Sequence, residues 1–208
     1  MPAQDEGYIK FRADHQPGPP LPAAFLTQLQ HWRQRLYEQG LIGAYPDGIG
    51  YGNLSCRYQG TGQFIISGTA TGGLAALEPK HYALVTDFDP DTNALTCTGP
   101  ILASSESMTH GILYRHCPEV GGVLHVHSLP LWQKLLHRVP TTDADAPYGS
   151  PEMVYSVVRL LKETDLRRQK IFVMEGHREG VFAFGKDLEE AGAVLEQWGD
   201  WVVGPKQT

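Results

Sequence analysis

Val120-Gly121-Gly122-Val123-Leu124-His125-Val126-His127-Ser128 is the stretch on which the reading of this chain turns. An apolar run leads into two histidines one residue apart. Successive residues of a strand point to opposite faces, so His125 and His127 share one. Neutral imidazole is the commonest metal ligand, and zinc needs three or four such groups converging. His177 is a third candidate. It stands between Gly176 and Gly180 at a strand end, where backbone packs closely and a side chain can reach into a cleft. Three imidazoles with an open position describe a catalytic site, not a closed structural one. His110 lies four residues after Glu106, on the same helical face, and reads better as a supporting or packing residue than as a ligand.

Working outward, helices and short strands alternate. Phe25, Leu29, Trp32 and Leu36 form one apolar stripe of a helix. Short strands are expected at 64–66, 82–85, 94–97, 120–127, 171–174 and 181–184. A helix is expected from Ser105 to about His116, capped by Ser104 or Ser105. Another starts at Pro151 behind a Ser150 cap, with Met153, Val154, Val157, Val158 and Leu161 inward. Asp187 and Glu190 read as the capping box of a last helix that runs to Trp198. Such alternation implies an α/β fold in layers around a mixed sheet. Residues 1–20, with Pro17, Pro19 and Pro20, read as a flexible N-terminal arm, and 21–208 as a single domain.

The chain has 208 residues and a formal charge of −6, which argues against nucleic acid as a partner. A small phosphorylated ligand is compatible, because a few N–H donors suffice to hold it. No run approaches the roughly 20 apolar residues of a membrane span, and the polar start is unlike a signal peptide. Three widely spaced cysteines, Cys56, Cys97 and Cys117, suggest reduced thiols in a cytoplasmic protein.

Three small polar turns add chemistry. Ser104-Ser105-Glu106 opens a helix, where free N–H groups and two hydroxyls can receive a phosphate. Its carboxylate can serve a nearby metal as ligand or base. Gly52-Asn53-Leu54-Ser55 and Thr69-Ala70-Thr71-Gly72-Gly73 are the other two. The acids of Asp87-Phe88-Asp89-Pro90-Asp91 fall short of a calcium loop: Thr92 replaces the required glycine and Thr98 the closing glutamate. A hairpin turn is expected there instead. No nucleophile elbow, Walker loop or dinucleotide fingerprint occurs.

In this order the motifs resemble the class II aldolase and adducin head domain family, which includes sugar-phosphate aldolases, an epimerase and a dehydratase. The likeness spans about residues 25–198. It rests on Gly-Asn-Leu-Ser-x-Arg at 52–57, the turn at 71–72, Ser-Ser-Glu at 104–106, His-Val-His at 125–127, Gly-His at 176–177, and Phe-Gly-Lys-Asp-Leu-Glu-Glu-Ala at 184–191. The resemblance implies a three-layer α/β/α fold with a central, largely antiparallel sheet, built into a homotetramer. It implies zinc, or another divalent ion such as manganese or cobalt, held by His125, His127 and His177. Glu106 would be the acid–base residue and a ligand of the resting metal. Asn53, Thr71, Gly72, Ser104 and Ser105 would hold a substrate phosphate. The implied activity is that of a lyase cleaving a small sugar phosphate or hydroxy-ketone through a zinc-stabilised enediolate. The same site would serve epimerisation or dehydration. A non-catalytic, adducin-like interaction domain is the reading from another class, but it gives the three histidines no chemical reason to persist. Two departures from the family stand out, a short loop after His127 and a short C-terminal tail, with a milder third at Arg178. The aldolases carry a tyrosine in that loop, and the nearest tyrosine here is Tyr148. Arg178 follows His177 where the family has glycine.

Overall fold

The computed structural model describes residues 8–199. In chain order the strands are β1 (Arg12–Pro17), β2 (Gly43–Ala44), β3 (Gly50–Tyr51), β4 (Asn53–Arg57), β5 (Phe64–Ser67), β6 (Tyr82–Asp89), β7 (Ala94–Gly99), β8 (Gly122–His127), β9 (Ile171–Val173) and β10 (Gly180–Gly185). The helices are α1 (Thr27–Glu38), α2 (Ser107–His116), α3 (Leu129–Leu135), α4 (Pro151–Glu163), α5 (Leu166–Gln169) and α6 (Leu188–Trp198).

Eight strands make one sheet in the order β1-β7-β6-β5-β4-β8-β10-β9, and β2 and β3 form a separate small hairpin. Every neighbouring pair in the large sheet is antiparallel except β1 with β7. The alternation of strand residues divides the core in two. Phe64, Ile66, Val123, Phe182 and Phe184 pack with Met108, Ile112, Met153 and Val157 from α2 and α4. Ile65, Leu124, Val126, Val181 and Ala183 pack with Leu29, Trp32, Leu131 and Leu195 from α1, α3 and α6. This is the three-layer α/β/α arrangement with a largely antiparallel sheet. No helix of the described residues is long and apolar enough to cross a membrane.

The same alternation locates the site. In β8, residues 123, 125 and 127 face the α2/α4 layer, because 124 and 126 face the other. The register then sets Asn53 of β4 on one side of His125 and Phe182 of β10 on the other. Gly180 pairs with His127, so the 175–179 turn hangs over the same strand end.

Several local expectations are met by identifiable bonds. Ser150 Oγ accepts the Met153 N–H at 3.2 Å, capping α4. Asp187 Oδ1 accepts the Glu190 N–H at 2.8 Å, while Glu190 Oε2 reaches back to the Lys186 N–H at 2.6 Å. Others need correction. Six residues of the supposed arm, Arg12–Pro17, form β1, because β7 offers an unpaired edge along which they align residue by residue. Val158 is only half-buried. The sequence pattern did not reveal α3 or α5. α2 starts at Ser107, two residues later than expected, with Glu106 at its N-cap position and no side-chain cap bond. Instead the Ser104 carbonyl accepts both the Ser107 N–H, at 3.0 Å, and its hydroxyl, at 2.6 Å. A tight turn thus replaces the serine cap and turns 104–106 toward the cleft.

Candidate metal centre and its cleft

Asn53, Thr71, Gly72, Ser104, Ser105, Glu106, His125, His127 and His177 all line one open cleft. All nine residues singled out from the sequence therefore meet in one place. Gly50, Tyr51, Gly52 and Tyr148 also border it.

At its floor the three histidines are buried, with ligand atoms all within 4.8 Å of one another. His127 Nε2 stands 3.1 Å from His125 Nε2 and 3.1 Å from His177 Nε2. Two nitrogens bound tetrahedrally to one zinc at about 2.0–2.1 Å sit roughly 3.3 Å apart, so this spacing fits a shared ion. Burial, then the neighbouring imidazoles, push the protonation of His125 and His127 well below the ordinary histidine range. Both rings are neutral at neutral pH, the state a metal requires.

The surroundings hold these rings in place. The Phe182 ring stacks on His125, centroids 4.4 Å apart. Tyr45 Oη lies 3.0 Å from His127 Nδ1 and donates to Glu179 Oε2 at 3.0 Å. A hydroxyl has one proton. Having given it to Glu179, Tyr45 accepts from His127 Nδ1–H, which leaves the Nε2 lone pair turned to the triad. Glu106 Oε1 lies 4.0 Å from His177 Nε2, and its Oε2 accepts the Thr109 hydroxyl at 3.2 Å. The donor set is thus three imidazole nitrogens with a carboxylate beside them, which suits a catalytic divalent ion.

The turns form the rest of the wall. Gly52 has φ +74°, and a Cβ there would come within 2.8 Å of Ile42 and 3.1 Å of the His125 carbonyl. Only glycine leads comfortably into Asn53. At Gly72 a Cβ would fall 2.3 Å from the Gly43 carbonyl, so this turn is pressed against the β2–β3 hairpin. Thr71 Oγ1 donates to the Gly68 carbonyl at 2.8 Å. Arg33 of α1, only 2% exposed, donates to the Thr71, Gly72 and Leu74 carbonyls from beneath. Among the described lining residues none is lysine or arginine, so an anion here meets N–H and hydroxyl groups. His110 sits behind the wall, bonded to Ser55 and Asn53, and is not part of the triad.

Tyr45, Glu179 and Arg33 escaped the sequence reading. Arg33 left a signal, being a charge set among Leu29, Trp32 and Leu36 on the inward stripe of α1. Tyr45 and Glu179 left none, for nothing in their local pattern says that they meet at His127. Tyr148 does border the cleft, its ring 4.8 Å from that of His177, and its hydroxyl accepts the Tyr8 N–H at 3.2 Å.

Residues 28–200 match the family described as Class II Aldolase and Adducin N-terminal domain. The chain belongs to this family. It is similar to methylthioribulose-1-phosphate dehydratase of Stenotrophomonas maltophilia (strain K279a), with 31% identity over 136 residues, 54% of this chain and 61% of that protein. It therefore spans less than two thirds of that relative. Among solved structures it is similar to l-fuculose-1-phosphate aldolase from Thermus thermophilus, with TM-score 0.57, 24% identity, and 86% and 87% of the two chains covered. A sugar-phosphate aldolase from Thermotoga maritima gives TM-score 0.58 at 18% identity, covering 87% of this chain and 98% of the other. At these identities the structural likeness speaks to the fold.

Proposed function

We propose that this chain is a divalent-metal lyase that cleaves a C–C bond in a small sugar phosphate or related hydroxy-ketone. The observation that carries this reading is the convergence of three buried Nε2 atoms beside the Glu106 carboxylate. His125, His127 and His177 hold the ion, zinc by preference or manganese or cobalt, with Glu106 as a further ligand in the resting site. The ion, when bound, supplies Lewis acidity toward neighbouring carbonyl and hydroxyl oxygens. Glu106 handles the proton. As the C–C bond breaks, Glu106 takes the proton of the hydroxyl that becomes the aldehyde carbonyl and returns it to the carbon next to the ketone, which keeps the electron pair. Asn53, Thr71, Gly72, Ser104 and Ser105 receive the phosphate through N–H and hydroxyl donors. A homotetramer accompanies this reading, as a further subunit would complete the cleft.

A second reading has its own support. The dehydratase relative favours loss of water from a ketose phosphate. There Glu106 removes the proton beside the carbonyl while hydroxide leaves the next carbon. Epimerisation would use the same site again.

The test is metal analysis of the purified protein, followed by product analysis on a panel of ketose phosphates. Two carbonyl fragments identify cleavage, and a single dehydrated ketone identifies the second reading. A protein that holds no metal and is neither bound nor stabilised by added zinc refutes both.

A further inference from the structure

A chain of hydrogen bonds runs through the buried layer behind the cleft. Tyr114 Oη lies 2.8 Å from Ser55 Oγ. Ser55 Oγ lies 2.7 Å from His110 Nδ1, and His110 Nε2 lies 2.6 Å from Asn53 Oδ1. All four side chains are buried, and of the four only Asn53 lines the cleft.

The protons of such a chain can run in one of two directions. In the first, Tyr114 donates to Ser55, Ser55 donates to His110 Nδ1, and His110 Nε2–H donates to Asn53 Oδ1. Every proton then has an acceptor. In the second, the Asn53 amide is flipped and donates to His110 Nε2, Nδ1–H donates to Ser55, and Ser55 donates to Tyr114. The Tyr114 proton is then stranded, or, if Tyr114 also donates to Ser55, the Ser55 proton is stranded instead, because neither hydroxyl has a further hydrogen-bond partner among the described residues. A buried donor without a partner carries the full cost of its lost hydration. The first direction therefore prevails.

We infer that Tyr114, Ser55 and His110 form a polarity relay that fixes the Asn53 amide, with Oδ1 turned back to His110 and the NH₂ group presented to the cleft. They are positioning residues for recognition of an oxyanion, phosphate above all. The described lining has no lysine or arginine, so discrimination rests on which way neutral groups point. A flipped Asn53 would aim a carbonyl oxygen at the anion. Because the relay favours one direction, the amide arrives preorganised. The inference rests on the reading of Asn53 as an anion contact. The relay itself can be tested without that reading.

The test has two arms. In the full-length protein, ¹⁵N NMR of the imidazoles reads which His110 nitrogen carries the proton. Nε2–H is expected, and Nδ1–H overturns the relay whatever the ligand. In the zinc-loaded protein, titration compares phosphoglycolohydroxamate with glycolohydroxamate, which lacks the phosphate. Their ratio isolates the affinity gained from phosphate. His110→Phe should reduce that gain about tenfold to a hundredfold, the worth of one hydrogen bond to a charged group. His110→Gln keeps an N–H within reach of Asn53 Oδ1 and should recover much of it, a rescue that loss of packing alone would not predict. Asn53→Ala should lose the gain as His110→Phe does. If Asn53→Ala weakens the gain and His110→Phe does not, the relay is overturned and the anion site stands. If neither variant changes it, the anion-site reading itself fails, and the relay's role in recognition with it.

Discussion

Replacing Tyr45 by phenylalanine should weaken zinc binding while leaving every ligand in place. The Tyr45 hydroxyl stands between His127 Nδ1 and Glu179 Oε2, 3.0 Å from each. It accepts the ring proton and passes its own to a carboxylate, so His127 is held in one tautomer and one orientation. Glu179 itself sits at φ +75°, a conformation rarely adopted by residues other than glycine, which aims its carboxylate at Tyr45. Tyr45→Phe keeps the ring, which packs 4.6 Å from that of Tyr51, and removes only the oxygen. Loss of such an outer contact to a metal-bound histidine typically costs about 10–100-fold in affinity, or about 1.4–2.7 kcal/mol. Tyr45 is half-buried, which places the effect toward the lower end. The assay is competition for zinc against a chromophoric chelator at fixed pH, with thermal melting of the metal-free proteins as the control for folding. A zinc Kd within about twofold of the parent in Tyr45→Phe would refute the argument that this hydroxyl sets the His127 tautomer.

Glu106→Gln should retain the metal and lose about 10²–10⁴ in turnover, as measured by metal content and initial rates. Zinc at a hundredfold excess over its Kd should stabilise the fold by about 2.7 kcal/mol, so chelation should lower the melting temperature by about 5–10 °C. His110 supplies a pH dependence. It is depressed to about 3 when folded and titrates near 6.5 when unfolded, so the unfolded chain binds the extra proton between these values. Its stabilising contribution is complete above about pH 6.5 and is lost as pH falls toward about 3, amounting to roughly 2–3 kcal/mol by pH 4.5. Urea unfolding of His110→Phe should show a shallower loss on acidification than the parent, and equal slopes would contradict the assignment. Gly72→Ala would drive a Cβ against the Gly43 carbonyl, and should cost about 1–3 kcal/mol together with the phosphate-dependent gain in ligand affinity.

Much of the site was legible because its chemistry is local. His125 and His127 are two apart on a strand, and a period of two needs no tertiary knowledge to put them on one face. Ser104, Ser105 and Glu106 are contiguous, as are Thr71 and Gly72. The way these segments meet depends on pairing between distant strands, such as Asn53 with His125, which no local pattern encodes. The resemblance of motifs supplied what periodicity could not. Tyr45 and Glu179 remained invisible because their importance lies in reaching His127 from two separate loops. Arg33 could have been noticed as a charge on an apolar stripe, although its target, the carbonyls of 71–74, could not. The mistaken helix start at Ser105 has a similar origin. Ser104 and Ser105 have the composition of caps, but the tight turn at 104–107 assigns them to the cleft instead.

The pairing of β1 along β7 has a consequence for how the protein must fold. The β6–β7 hairpin is local and can form early, whereas the partner that covers its outer edge is separated from it by about eighty residues of chain. Until β1 docks, β7 presents a row of open N–H and C=O groups to any other extended chain. Once docked, β1 substitutes an outer strand bearing Arg12, Asp14 and Pro17, a poor template for further pairing. Refolding yield should therefore depend on protein concentration during the interval before β1 docks, and substitutions that weaken this strand should appear first as aggregation rather than as damage to the histidine pair on β8, five strands away in the sheet.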